Sequence, residues 1–244
     1  MKIEDVHTAH LLFEQSGTYK KAFLELGIPA YDYDIQNEYG QTDHVIDLFA
    51  EIEKEYEGGI SVFQHFSKDD IIMAFFPCIY FTGFTNPLYF ALENLNYKNM
   101  TTPQKFDAIL EREKHRHEFY CLLYKLCAIC YARGLRMIFE NPFSTLHFLH
   151  NNFLKEPDIL DTDRTLRGDY YKKPTGYWFF NCEPTHGFTP TRPKERRIVM
   201  QASGSGKAGI CSKERSEMSP EYARNFLNDF LFHDDKQEKQ LSLF

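Results

Sequence analysis

Two residues of this 244-residue chain have the types and settings that chemistry needs. Cys78 follows Pro77 in Phe75-Phe76-Pro77-Cys78-Ile79, and Glu140 opens Glu140-Asn141-Pro142. A thiol becomes a nucleophile once it is deprotonated and accessible. A carboxyl group can donate or accept a proton, or hydrogen-bond a substrate edge on which charge gathers. The pair therefore predicts covalent catalysis with acid–base support.

The elements that must hold these residues can be read around them. Ile71 to Phe76 is an unbroken apolar run that predicts a buried strand, and Pro77 ends it because proline has no N–H for a ladder. Leu135 to Phe139 predicts a second strand. Both residues then fall just past the C-terminal ends of parallel strands, the edge at which open α/β sheets bind ligands. The first half of the chain alternates strand-like and helix-like stretches, as βα units do. His10 to Phe13 predicts the first strand, Glu14 to Thr18 a turn, and Tyr19 to Leu26 a helix that stops at Gly27. Ala30 to Asp34 predicts the second strand, and Val45 to Phe49 the start of a third unit. A long helix is expected from about Pro103 to Arg133, closed by Gly134. Asn151 to Asp169 reads as polar loop, Gly176 to Phe180 as a strand, and Glu183 to Lys194 as loop. Ser219-Pro220-Glu221 opens a helix with a serine cap and proline at the first helical position, running to about Phe232.

A second constellation lies in the first unit. Gly17 lets a ligand approach the backbone, and the helix behind it is expected to offer free N–H groups. Asp34 ends the second strand, where a carboxylate can accept both hydroxyls of a ribose. Asp32 competes for that role from two residues earlier. Ile35 is placed to lie against an adenine, and Asp47 to accept from its amino group. This spacing is similar to the cofactor half of an S-adenosylmethionine-dependent methyltransferase.

Taken together, these motifs resemble the DNA cytosine-5 methyltransferase family, in its short phage-type members. Leu12 to Thr18 looks like the family's cofactor loop, Asp70 to Cys78 like its nucleophile motif, and Phe139-Glu140-Asn141 like its cytosine-binding motif. Lys173 to Trp178 and Arg215 to Pro220 are similar to later motifs of the short members. The resemblance implies an α/β, Rossmann-like methyltransferase fold with a small, reduced second lobe. Residues 1–165 would form the cofactor-binding and catalytic core, 166–215 the reduced target-recognition region, and 216–244 a helix returning to the core with a charged tail. It implies S-adenosylmethionine as cofactor, held by Phe13, Ser16, Gly17, Thr18, Asp34, Ile35, Asp47 and Pro77. Cys78 would attack C6 of a cytosine flipped out of DNA, and Glu140 would bind the N3 and N4 edge. Lys173, Arg192, Arg196 and Arg197 would contact DNA. There are departures. Ile79-Tyr80 replaces the glutamine that usually follows the nucleophile, and no Gln-x-Arg-x-Arg stretch is present. The chain from Asn181 to Ser212 is too short for a full recognition domain. A short or relaxed target and salt-sensitive binding are expected. The alternatives are a non-catalytic or partner-dependent DNA-binding remnant of the family, or a methyltransferase acting on another pyrimidine substrate, RNA or a nucleotide.

Composition narrows the classes further. The hydrophobic fraction of 43% and aromatic fraction of 16% are enough to fill a core. Charged residues interrupt every apolar run, so no membrane span is expected. The acidic start, Met1 to Asp5, does not read as a signal peptide, and six cysteines without framework spacing suit a reducing cytoplasm, bacterial or phage-infected. A net charge of −7 argues against non-specific coating of nucleic acid and leaves room for a local basic cleft. Cys127-Ala-Ile-Cys130 reads as helix core, and His115, His117 and Cys121 as one solvated helix face, so no metal is expected. Ser203 to Lys207 lacks the spacing of a phosphate-binding loop.

Overall fold

The apolar runs become the middle of one sheet. The computed structural model describes residues 1–82, 90–93, 95–189, 191 and 217–233. Among these, β1 is Ala9–Leu12, β2 Ala30–Asp34, β3 His44–Val45, β4 Ile71–Ala74, β5 Arg136–Pro142, β6 Ile159–Asp161 and β7 Thr175–Phe180. They form a seven-stranded sheet in the order β3-β2-β1-β4-β5-β7-β6. The first five in that order run parallel, and β7 lies antiparallel to both β5 and β6. β1 and β4 are buried at every position, as continuous apolar strands covered on both faces must be. The result is a mixed α/β fold with a mostly parallel sheet, compatible with a Rossmann-like architecture.

Helices cover the two faces. α1 (Thr18–Glu25) and α5 (Pro220–Phe230) pack together over one, with Phe23, Phe226 and Leu227 buried against Leu11, Met73 and Ile138. α2 (Leu48–Tyr56), α3 (Thr102–Arg133) and α4 (Phe148–Asn152) lie over the other, with Ile52, Leu123 and Leu149 against Leu12, Ile72 and Phe139. α3 is 32 residues long, yet its buried residues run only from Leu122 to Cys130. It ends at Gly134, whose φ of 67° is the left-handed conformation glycine accepts without strain.

Three expectations change. The third unit is not a strand through Phe49: β3 has two residues, and Asp47 is the N-cap of α2, its carboxylate accepting from the N–H groups of Phe49 and Ala50. A cap that stops a strand and starts a helix explains the mixed apolar pattern there. The stretch Asn151–Asp169 is not all loop, because it holds α4 and β6. Finally, β7 lies inside the sheet, so the core extends beyond residue 165 into the stretch assigned to the second lobe.

Candidate functional site

β4 and β5 are neighbours, with Ala74 opposite Phe139. Cys78 therefore stands four residues past the end of one strand, as expected, whereas Glu140 lies inside the other rather than past its end, because pairing with β7 prolongs β5 to Pro142. The Cys78 carbonyl accepts from the N–H groups of Phe81 (2.9 Å) and Thr82 (3.1 Å), so the chain turns sharply as soon as it leaves the sheet. Cys78 is half-buried and forms no disulfide. Asn141, fully buried, ties the two strand ends together, its side-chain amide donating to the Phe76 carbonyl at 2.9 Å. That carbonyl lies two residues before the thiol. Phe81 continues the wall, packing on His147 and Phe148.

Glu140 is 6% exposed, and its Oε1 has no hydrogen-bond partner among the described residues. Burial pushes its carboxyl above the usual range; the charges of Lys173 and Arg164 oppose the shift, and that of Asp169 reinforces it. A buried polar atom without a partner is costly, and such atoms mark places where a polar ligand belongs. The neighbouring Asn141 Oδ1 and the His147 Nε2 are likewise without partners.

The other half of the site lies at the ends of β1 and β2. Phe13 follows β1 with φ of 62°, a strained conformation for an aromatic residue, and its N–H donates to the Tyr33 carbonyl at 2.8 Å. Its ring packs on Phe49 (5.6 Å) and Phe76 (5.2 Å), forming an aromatic wall over the ends of β1 and β4 and the first turn of α2. Asp34 is half-buried, one carboxylate oxygen accepting from Gln36 N–H at 2.7 Å, and burial raises its pKa. Ile35, beside it, is 63% exposed. Asp34 thus stands at the end of β2 beside the exposed apolar side chain of Ile35. Asp32 does not compete: fully buried, it pairs with Lys20 at 2.9 Å and accepts from Asp43 N–H at 2.7 Å.

The first turn differs from expectation. The N–H groups of α1 are not free, because Thr18 donates to Ser16 Oγ and Tyr19 and Lys20 donate to the Glu14 carboxylate. Ser16 and Thr18 also bond to each other through their hydroxyls at 2.9 Å. Gly17 has φ of 65°, and a Cβ there would come within 3.0 Å of Gln41 Oε1, so the space beside this glycine is taken by the chain itself. Asp47 is committed in part to its cap. Pro77 is half-buried between Phe76 and Cys78.

Lys173 is half-buried just ahead of β7, and its charge acts against the raised pKa of Glu140. Arg192, Arg196 and Arg197 lie outside the described residues. Glu14, Phe49, Arg164 and Asp169 were not singled out by the sequence. The only signal for the last two is a dense run of acids and arginines, Asp161 to Asp169, broken by Gly168. Among the described residues no group of three or more His, Cys, Asp or Glu side chains could hold a metal ion, and no helix is long and apolar enough to cross a membrane. Compared with protein-family models and with curated proteins, the chain matches none.

Proposed function

We propose that this protein transfers a methyl group from S-adenosylmethionine to C5 of cytosine in DNA. The observation that carries the reading is the placement of Cys78 just past the end of β4 and of Glu140 toward the C-terminal end of the neighbouring β5, with Asn141 bridging the two. The fold is compatible with it: a mostly parallel sheet covered on both faces, with β7 inserted in reverse between β5 and β6, brings both residues to one edge. The strained Phe13, the Phe49 and Phe76 rings, Asp34 and Ile35 would hold the adenosine. Bound there, the cofactor supplies an electrophilic methyl group.

This chain's own residues do the rest. The Cys78 thiolate adds to C6 and pushes electrons into the ring. Glu140, as a buried acid, hydrogen-bonds N3 and N4 and supplies or shares a proton as charge develops there. C5 would then be nucleophilic toward the cofactor's methyl group, the new carbon–carbon bond forming as the sulfur–methyl bond breaks and S-adenosylhomocysteine leaves. Loss of the C5 proton to water, with expulsion of the Cys78 thiolate, restores the aromatic base. Because C6 is shielded in a duplex, the cytosine must leave the stack, and the partnerless Oε1 of Glu140 is an available hydrogen-bonding atom for it.

The test is transfer of labelled methyl to DNA by the wild type and by Cys78→Ser. Incorporation that depends on Cys78 is expected. Incorporation into RNA or free nucleotides but not DNA would move the substrate class, and none into any of the three would overturn the reading.

A further inference from the structure

The turn after β1 is built around a carboxylate. Glu14 is buried, and it lies four residues ahead of Thr18, where α1 begins. Its Oε1 accepts the Tyr19 N–H at 2.8 Å, and its Oε2 accepts the Lys20 N–H at 3.3 Å. The Thr18 N–H goes to Ser16 Oγ at 3.2 Å. The N–H groups of the first three helical residues are therefore all taken. The start of an α-helix carries a partial positive charge and N–H groups with no partner inside the helix. Nucleotide-binding folds seat a ligand phosphate on such an end. Here the chain has seated an anion of its own.

The rest of the turn agrees. Dinucleotide-binding turns carry several glycines so that the backbone can come close to a pyrophosphate. Leu12 to Thr18 has Gly17 alone, and the Gln41 side chain stands where a Cβ on it would reach, at 3.0 Å. The cation of this turn is also committed. Lys20 Nζ gives its three donors to Asp32 Oδ1 at 2.9 Å, Asp43 Oδ2 at 3.1 Å and the Gln41 carbonyl at 2.6 Å. A phosphate brought here would meet a like charge, three occupied N–H groups and an ammonium already facing two carboxylates.

We propose that Glu14 is a specificity-determining residue: its carboxylate occupies the place of a ligand phosphate at the start of α1. The site at the ends of β1 and β2 then admits an adenosine whose 5′ substituent carries no phosphate, and refuses one that bears a 5′-phosphate or pyrophosphate. That an adenosine binds there rests on the methyl-transfer reading, but the refusal of phosphate rests on the turn alone. A mostly parallel sheet covered on both faces can serve either class of ligand, so the turn decides between them.

The experiment is calorimetric titration of the full chain, of Glu14→Gln and of Glu14→Ala with S-adenosylhomocysteine, ADP and inorganic phosphate. The wild type should bind ADP roughly a hundredfold more weakly than S-adenosylhomocysteine, because like charges brought together are strongly unfavourable. It should show no binding of phosphate. Glu14→Gln keeps the shape and removes the charge, and should gain about tenfold or more for ADP. Glu14→Ala also frees the Tyr19 and Lys20 N–H groups, and should gain further and take up phosphate itself. Circular dichroism checks the fold, and Glu14→Gln stands as the test if Glu14→Ala does not fold. ADP bound by the wild type as tightly as S-adenosylhomocysteine, or no gain for ADP or phosphate in a folded variant, would overturn the proposal. Phosphate taken up by Glu14→Ala in a protein whose wild type binds no S-adenosylhomocysteine would sink the methyl-transfer reading and leave this one standing.

Discussion

The Asn141 side-chain amide donates to the Phe76 carbonyl at 2.9 Å, fastening the residue after Glu140 to the residue before Pro77-Cys78. The carboxyl and the thiol are thus referenced to each other through one hydrogen bond between neighbouring strands. Replacing Asn141 by Ala should leave binding of S-adenosylhomocysteine near the wild-type value and slow methyl transfer by roughly ten- to a hundredfold, since small misplacements are costly in rate. It should also cost about 1–3 kcal/mol of stability, because the Phe76 carbonyl loses its donor. Calorimetry and single-turnover rates on one preparation check both. An unchanged rate would show that the bridge is only structural.

The two acids of β2 should separate cleanly. Asp34→Ala is expected to weaken S-adenosylhomocysteine by roughly 1–3 kcal/mol, the loss of a charge-assisted hydrogen bond, with little change in stability. Asp32→Ala should instead destabilise the protein by on the order of 3–5 kcal/mol, because Lys20 loses a buried partner. Titration calorimetry and denaturant melts distinguish the two, and the reverse pattern would reassign the ribose site to Asp32.

Covalent chemistry is tested by 5-fluorocytosine in DNA, whose fluorine cannot leave as a proton. Cys78→Ser should abolish the trapped adduct. Cys127→Ser should not, because Cys127 is buried in α3 and burial pushes its thiol well above the ordinary range. A gel-shifted adduct that survives loss of Cys78 would show that another thiol reacts.

Stability should depend on pH through Glu14. Burial raises its carboxyl from 4.5 to about 7, against the hydrogen bonds from Tyr19, Lys20 and Ser16. The folded chain therefore binds the proton more tightly than the unfolded chain. The contribution is fully present below about pH 4.5 and is lost as pH rises through 7, by up to about 3 kcal/mol. Glu14→Gln should remove that dependence, so the stability difference between variant and wild type should change between pH 5 and pH 8. A parallel pair of pH–stability curves over that range would contradict the assignment.

Much of this architecture is legible along the chain, for physical reasons that also mark its limits. The runs at Ile71 and Leu135 announce buried parallel strands because both faces of each are covered. The 32-residue helix and α5 announce themselves through Gly134, Ser219 and Pro220. What one sequence cannot carry is pairing between distant segments. β6 has three residues and β3 two, each too short for a periodicity, and the reversal of β7 leaves no local mark. In the site, Cys78 follows from a strand end, while Glu140 is drawn into β5 by its pairing with β7. The Asn141 bridge arises only when separate elements meet. Asp47 could not be read as a cap from the sequence, because a helix cap and a strand-end ligand call for the same side chain.

The reversed strand β7 also sets an order of assembly. β6 precedes it in the chain, yet β6 joins the sheet only through β7, with Leu160 opposite Gly176. During synthesis, residues 159–161 must therefore wait for residues 175–180 before they can pair. Until then β5 is an open edge, and Glu140 lacks Tyr177 beside it. The half of the sheet that carries the acid is completed late in translation, after the half that carries the thiol has its strands in hand.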